Sequence, residues 1–204
     1  NAARWTVAER VLAALSSQGS APQTAYDFGA GPGWFASRLT DHGLDVLALE
    51  GRQDVISAGQ ERAPKASFEQ CEFDGQVSLI DLPARDFGLA VGILYHLENP
   101  LRALRLMGEM TSGTLLLETM VLPREDTMAQ VIRENPNPTQ GIRPLAMLLS
   151  PLAIEQGLWA AGFTHIYRFT QTVDHSDFED QPKRHPRRGI WLASRSPLIV
   201  DGFV

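Results

Sequence analysis

The sequence predicts an α/β fold, a seven-stranded, mostly parallel sheet with helices on both faces. Three observations predict it. Short apolar runs alternate with stretches of helical spacing along most of the chain, the pattern of strands linked through helices. A glycine-rich turn, Gly29, Gly31 and Gly33, sits between the apolar run Ala25–Phe28 and a helical pattern opening at Trp34. The next apolar run, Leu44–Leu49, ends on an acid, Glu50, which lies 21 residues after Gly29.

Taken in order, Trp5–Leu15 carries apolar residues at helical spacing, and the turn-forming segment SSQGSAPQ ends it. The first strand and its turn follow. The helix beyond the turn stops near His42-Gly43, a suitable C-terminal cap. Leu44–Leu49 is the second strand. Val55–Arg62 is a helix halted by Pro64, Ala66–Phe73 a third strand, and Gln76–Leu82 a short helix ended by Pro83. Phe87–Leu94 is the fourth strand, and the amphipathic run from Pro100 is a helix. Thr114–Leu122 is the fifth strand. Pro123–Pro144 holds four prolines and little apolar periodicity, so residues 123–149 read as a loop or insertion near an acceptor site. Ser150-Pro151 opens a helix that ends at Gly162, with Ser as N-cap and Pro at the first position. Thr164–Val173 and Gly189–Ser194 close the chain as a hairpin-like pair of strands.

Bulk properties set limits. A chain of 204 residues supports one domain with a substantial core, and 1–204 reads as a single unit. Apolar content of 44% and charged content of 21% are those of an ordinary globular protein. The net charge, 18 − 24 = −6, argues against a large nucleic-acid footprint, which depends on Lys and Arg meeting phosphates. The basic run Lys183–Arg188 reads as a solvated loop. The single cysteine, Cys71, allows no intramolecular disulfide and no cysteine-based metal cluster, and His42, His165, His175 and His185 lack ligand spacing, so no metal site is expected. No apolar stretch approaches the ~18 residues of a membrane span. The N-terminal NAARWTVAERVLAALSS is amphipathic rather than a secretion signal, so a cytoplasmic location is the expectation. The chain begins at Asn1 without Met, which leaves a preceding segment and the oligomeric state open.

The turn carries chemistry. Glycines let the backbone take positive φ and let a ligand approach where a Cβ would stand. The helix N-terminus behind the turn offers unpaired N–H groups, and Glu50 at this spacing can accept both hydroxyls of a ribose. A ligand-free strand-to-helix turn also uses glycines. The preceding strand, the following helix and Glu50 together favour the ligand. A dinucleotide dehydrogenase would show G-x-G-x-x-G, whereas this chain has G-x-G-x-G with Asp27 two residues ahead of it.

Asp27-Phe28-Gly29-Ala30-Gly31-Pro32-Gly33 resembles the first motif of class I S-adenosyl-L-methionine-dependent methyltransferases. The resemblance implies a Rossmann-like fold and S-adenosyl-L-methionine as cofactor. Asp27, Gly29, Ala30, Gly31 and Gly33 would then cradle the methionine end, and Glu50 and Gly51 the ribose. Asp74 would take the adenine amino group, with Phe73 supplying a backbone N–H. Val91-Gly92-Ile93-Leu94-Tyr95-His96-Leu97-Glu98-Asn99-Pro100, at the end of the fourth strand, is similar to a subgroup that includes the tRNA wobble-uridine (carboxy)methyltransferases and several small-molecule enzymes. Leu116–Leu122 and Ser150–Phe163 look like the same group, so the resemblance covers roughly residues 24–170. It places Val91 and Tyr95 beside the cofactor. The chain departs from the tRNA enzymes in having Leu97 and Glu98 where they carry arginines.

Methyl transfer needs acceptor and methyl group held in line, and a hydroxyl acceptor is helped by a base. His96 is the candidate base by position, the alternative being a histidine that caps the strand end or contacts the cofactor. Tyr95 would orient the acceptor or line the methyl channel, and positioning without any base is the other way to run the transfer. Glu118 is a second candidate base, and Arg133 and Arg143 could clamp an anionic acceptor. The leading expectation is methyl transfer to a small-molecule substrate, at a hydroxyl. A tRNA wobble-uridine-type enzyme and a non-catalytic methyltransferase-fold partner protein are the alternatives.

Overall fold

The computed structural model describes residues 1–75, 82–135, 141–178 and 187–204. The expected short helix in 76–82 falls almost wholly outside them. The elements are α1 (Ala2–Ser17), β1 (Thr24–Phe28), α2 (Trp34–Asp41), β2 (Asp45–Glu50), α3 (Gln53–Arg62), β3 (Ser67–Gln70), β4 (Arg85–Val91), α4 (Pro100–Met110), β5 (Thr111–Val121), β6 (Ala129–Arg133), β7 (Leu145–Leu149), α5 (Pro151–Ala160), β8 (His165–Arg168) and β9 (Arg187–Ser194).

The strands form one sheet. β3, β2, β1, β4 and β5 pair in parallel in that order; β9 then runs antiparallel along β5 and β8 antiparallel along β9. These are the seven strands the sequence predicts. The strand period of two sends alternate side chains to opposite cores. Ala25, Val46, Ala48, Phe87, Leu89, Leu116, Ile190 and Leu192 pack under α1 and α2. Tyr26, Phe28, Leu47, Leu49, Leu115, Leu117 and Trp191 pack under α4 and α5. Both faces are therefore buried, as a parallel sheet requires.

The sheet holds nine strands because β6 and β7 add a hairpin. The expectation of a loop over Pro123–Pro144 is corrected there: β6 lies inside that stretch. β7 touches β5 only at Val121↔Leu149, and the hairpin continues past the carboxyl edge of the sheet. Three strands are also shorter than expected. β3 stops at Gln70, β4 stops at Val91 and gives way to a 3₁₀ turn over Leu94–His96, and β8 stops at Arg168. Ser150 caps α5 as expected, its side chain accepting from the Ala153 N–H. Among the described residues no helix is long and apolar enough to cross a membrane.

Candidate active site

Strands β1 to β4 end on one edge of the sheet, the edge at which ligands bind in open α/β folds. A cavity of about 590 Å³ opens there. Gly29, Gly31, Glu50, Gly51, Phe73, Asp74 and His96 line it, all singled out in the sequence. Asp27, Ala30, Gly33, Val91 and Tyr95 do not line it.

The glycine turn is built as its sequence suggests. Gly29, Gly31 and Gly33 have φ of 70°, 52° and 74°. A Cβ at Gly29 would fall 2.6 Å from Ile93 Cδ1, so the turn is packed on one side. A Cβ at Gly31 would meet nothing within 4 Å, so its backbone is open on the cavity side. Glu50 is fixed from both ends: Oε2 accepts from the Gly31 N–H at 2.9 Å and Oε1 from the Arg52 N–H at 3.0 Å. Gly33 instead caps α2 at its N-terminus.

Asp27 points to the α1–α2 side of β1 and is 2% exposed. Burial pushes its carboxyl up to about 7; an Ala36 N–H works against that shift, and the charge of Glu50 adds to it. Its Oδ2 has no hydrogen-bond partner among the described residues. An orphaned buried acceptor beneath a glycine cradle is a group a ligand's donor would satisfy.

Asp74 sits on the opposite wall and is already engaged. Its Oδ2 accepts from the Glu98 N–H at 2.7 Å and its Oδ1 from the Asn99 N–H at 2.8 Å, which ties the loop after β3 to the start of α4. Oδ1 also accepts from Asn99 Nδ2 at 3.4 Å, so the lone pair left for a ligand is on Oδ2. The Phe73 carbonyl accepts from Arg102 on α4.

After β4 the 3₁₀ turn places Tyr95 and His96 side by side, ring centroids 4.0 Å apart. They face different partners. The Tyr95 hydroxyl accepts from Arg188 Nη2 at 2.9 Å. His96 Nδ1 meets Oε1 of Glu134, the residue just past β6, at 2.8 Å. Both side chains are largely buried, 15% and 4% exposed. Burial lowers the His96 pKa; Glu134 opposes this, and the charges of Arg188 and Arg52 reinforce it.

Two expectations are corrected nearby. Glu118 is not placed as a base. It is 2% exposed in its side chain and accepts from Arg4 Nε at 3.0 Å and from Arg188 at 3.1 and 3.2 Å. Nor does the basic run end in a solvated loop: Arg188 lies on β9 with its side chain largely buried, bonding Glu118, Asp177 and Tyr95 together. Lys183–Pro186 are outside the described residues. Arg143 pairs with Glu72 at 2.5 Å, while Arg133 stays exposed on β6.

The segment 141–143 covers part of the cavity. Ile142 lies so close over Gly51 that a Cβ there would be 2.3 Å from Ile142 Cδ1, and a Cβ on Gly141 would be 2.7 Å from the His96 carbonyl oxygen. Sequence reasoning missed Glu134, Arg4, Glu72 and Ile142. The β-branched pair Val131-Ile132 was the one local sign of a strand that could deliver Glu134; the others come from long-range pairing with no local signature.

No protein-family model matches the chain, and no curated protein matches it in sequence. Solved structures do match. The N-terminal domain of EvdMO1 with S-adenosylhomocysteine bound has a TM-score of 0.70 at 18% identity, over 92% of this chain and 80% of that one. DesVI of Streptomyces venezuelae has 0.64 at 15% identity, over 95% and 92%. Magnesium protoporphyrin IX methyltransferase of Synechocystis PCC 6803 with S-adenosylmethionine bound has 0.63 at 18% identity, over 95% and 79%. At these identities the likeness is one of fold: the chain has the α/β fold of S-adenosylmethionine-dependent methyltransferases.

Proposed function

We propose that the protein is an S-adenosylmethionine-dependent methyltransferase acting on a hydroxyl of a small molecule. The observation that carries the reading is the Glu50 carboxylate, held by the Gly31 and Arg52 N–H groups at the wall of the cavity. Fixed in this way, its remaining lone pairs suit the two hydroxyls of a ribose. The orphaned Oδ2 of Asp27 and the open backbone at Gly31 suit the charged amino-acid tail. Gly51, Phe73 and Asp74 line the far end, where an adenine would rest. The bound cofactor would supply an electrophilic methyl group. The chain's own residues hold the acceptor beside that group and exclude water; His96 takes the hydroxyl proton, and Tyr95, tilted against it behind the cavity wall, backs its ring. The similar solved structures include complexes with S-adenosylmethionine or S-adenosylhomocysteine, and one of those proteins is named for a porphyrin acceptor. The acidic balance of the chain supports a small acceptor over a nucleic acid.

Titration calorimetry with S-adenosylhomocysteine tests the reading. Saturable binding below a millimolar is expected. Glu50→Ala should weaken it at least about tenfold, equivalent to ~1.4 kcal/mol. A folded wild-type protein that shows no heat at millimolar ligand rules the proposal out.

A further inference from the structure

We infer that Glu134 is a positioning residue: it fixes His96 in one tautomer, with Nδ1–H on Glu134 and Nε2 presented to the cavity as the proton acceptor for an alcohol or phenol. The assignment of that donor rests on the methyltransferase reading; the geometry of the pair does not.

The argument starts from what the two groups can do. A carboxylate only accepts, so a 2.8 Å contact with His96 Nδ1 requires a proton on that nitrogen. In the neutral ring Nε2 then carries the lone pair. Among the described residues Nε2 has no hydrogen-bond partner, and His96 lines the cavity. The charged groups that act on the ring come from three places: Glu134 just past β6, Arg188 on β9 and Arg52 at the start of α3. Burial and the two guanidiniums outweigh Glu134, so the resting ring is neutral near pH 7, the state a base requires.

The geometry is held from outside the pair. The Met147 N–H donates to the Leu97 carbonyl at 2.9 Å, which fastens β7 to the turn carrying His96. Gly141 packs against the His96 backbone. The hairpin β6–β7, which a bare seven-stranded sheet lacks, therefore brings Glu134 to the end of β4. In the reaction the acceptor proton passes to Nε2 and the acceptor oxygen's lone pair forms the bond to the methyl carbon. The electron pair of the broken carbon–sulfur bond stays on sulfur. The imidazolium so formed is stabilised by Glu134 across the existing contact.

The test is long-range ¹H–¹⁵N correlation spectroscopy of the histidine rings across a pH series, with and without saturating S-adenosylhomocysteine. It compares the wild type with Glu134→Gln and Glu134→Ala. The wild type should show a neutral, Nδ1–H ring for His96 at pH 7.5. Glu134→Gln retains an acceptor oxygen, so it should keep that tautomer but titrate at lower pH. Glu134→Ala should lose the single tautomer. A cationic ring at pH 7.5, an Nε2–H ring in the wild type, or a titration unchanged in Glu134→Gln each overturns the inference. The last holds even if Glu134→Ala fails to fold. Calorimetry with S-adenosylhomocysteine on the same samples separates the two claims. Absent binding with the tautomers as expected removes the methyltransferase reading and leaves the pair standing. Normal binding with the wrong tautomer does the reverse.

Discussion

Asp27 shows how one side chain can link the fold to the site. It sits on a strand whose neighbours Ala25, Tyr26 and Phe28 are completely buried, and its own Oδ2 lacks a partner. Its pKa of about 7 in the folded chain lies above the ordinary 3.8. Between those values the unfolded chain releases a proton that the folded chain keeps. Stability from this group is therefore full below about pH 4, falls as pH rises toward 7, and is level above that. The loss is on the order of a few kcal/mol, at ~1.4 kcal/mol per unit. Asp27→Asn cannot ionise, so denaturant midpoints measured from pH 4 to 8 should fall less steeply with pH than in the wild type. Parallel curves for the two proteins would refute the burial argument. This residue was legible in the sequence as an acid before the first glycine. Its isolation from solvent was not, because burial depends on α2 covering it.

At the scale of elements, α1 is anchored by charge as well as by its apolar face. Trp5, Val7, Ala8, Val11, Leu12 and Leu15 are the buried stripe that helical spacing predicted. Arg4, one residue before that stripe, reaches Glu118 on β5, and Arg188 on β9 completes the group. Asp177 also pairs with both guanidiniums, at 2.6 Å to Arg4 and 3.1 Å to Arg188, so Glu118→Ala leaves them partly compensated and should cost about 1–3 kcal/mol in urea unfolding. A change under ~1 kcal/mol would show that water reaches the cluster. The same scale explains what the sequence concealed. Strands with both faces buried, such as β2, announce themselves as apolar runs. β6 has exposed Ala129, Gln130, Val131 and Arg133 and so offers no buried face for a period to mark. Proline-rich flanks then made it read as loop. Tyr95 and His96 follow β4 in a 3₁₀ turn, and of the two only His96 lines the cavity. Their different partners, Arg188 and Glu134, come from strands far along the chain and carry no local trace.

For the molecule as a whole, the unequal fastening of its parts sets where it can open. β4 and β5 are paired along most of their length and packed on both faces, whereas the hairpin joins β5 at one register position, Val121↔Leu149. Its other ties to the site are Met147 to Leu97, Glu134 to His96, and Arg143 to Glu72. The last of these pairs is well exposed to solvent and contributes little. Ala146, Leu148 and Leu149 are buried, but a unit tied to the sheet at few points opens more readily than the strands it leans on. Opening here lifts Ile142 from Gly51 and widens the cavity beside the Glu50 cradle. A ligand bound beneath Ile142 favours the closed arrangement by RT ln(1 + [L]/Kd), about 2.7 kcal/mol at a hundredfold excess over Kd. Amide hydrogen exchange should therefore be faster in residues 141–149 than in β4 and β5. Saturation with S-adenosylhomocysteine should slow it by up to ~100-fold, while β8 and α5 change little. Exchange in 141–149 that ignores the ligand would mean that the segment is not a cover for the cavity. Arg143→Ala should then make no difference to ligand release, whereas a true cover predicts faster dissociation from that variant.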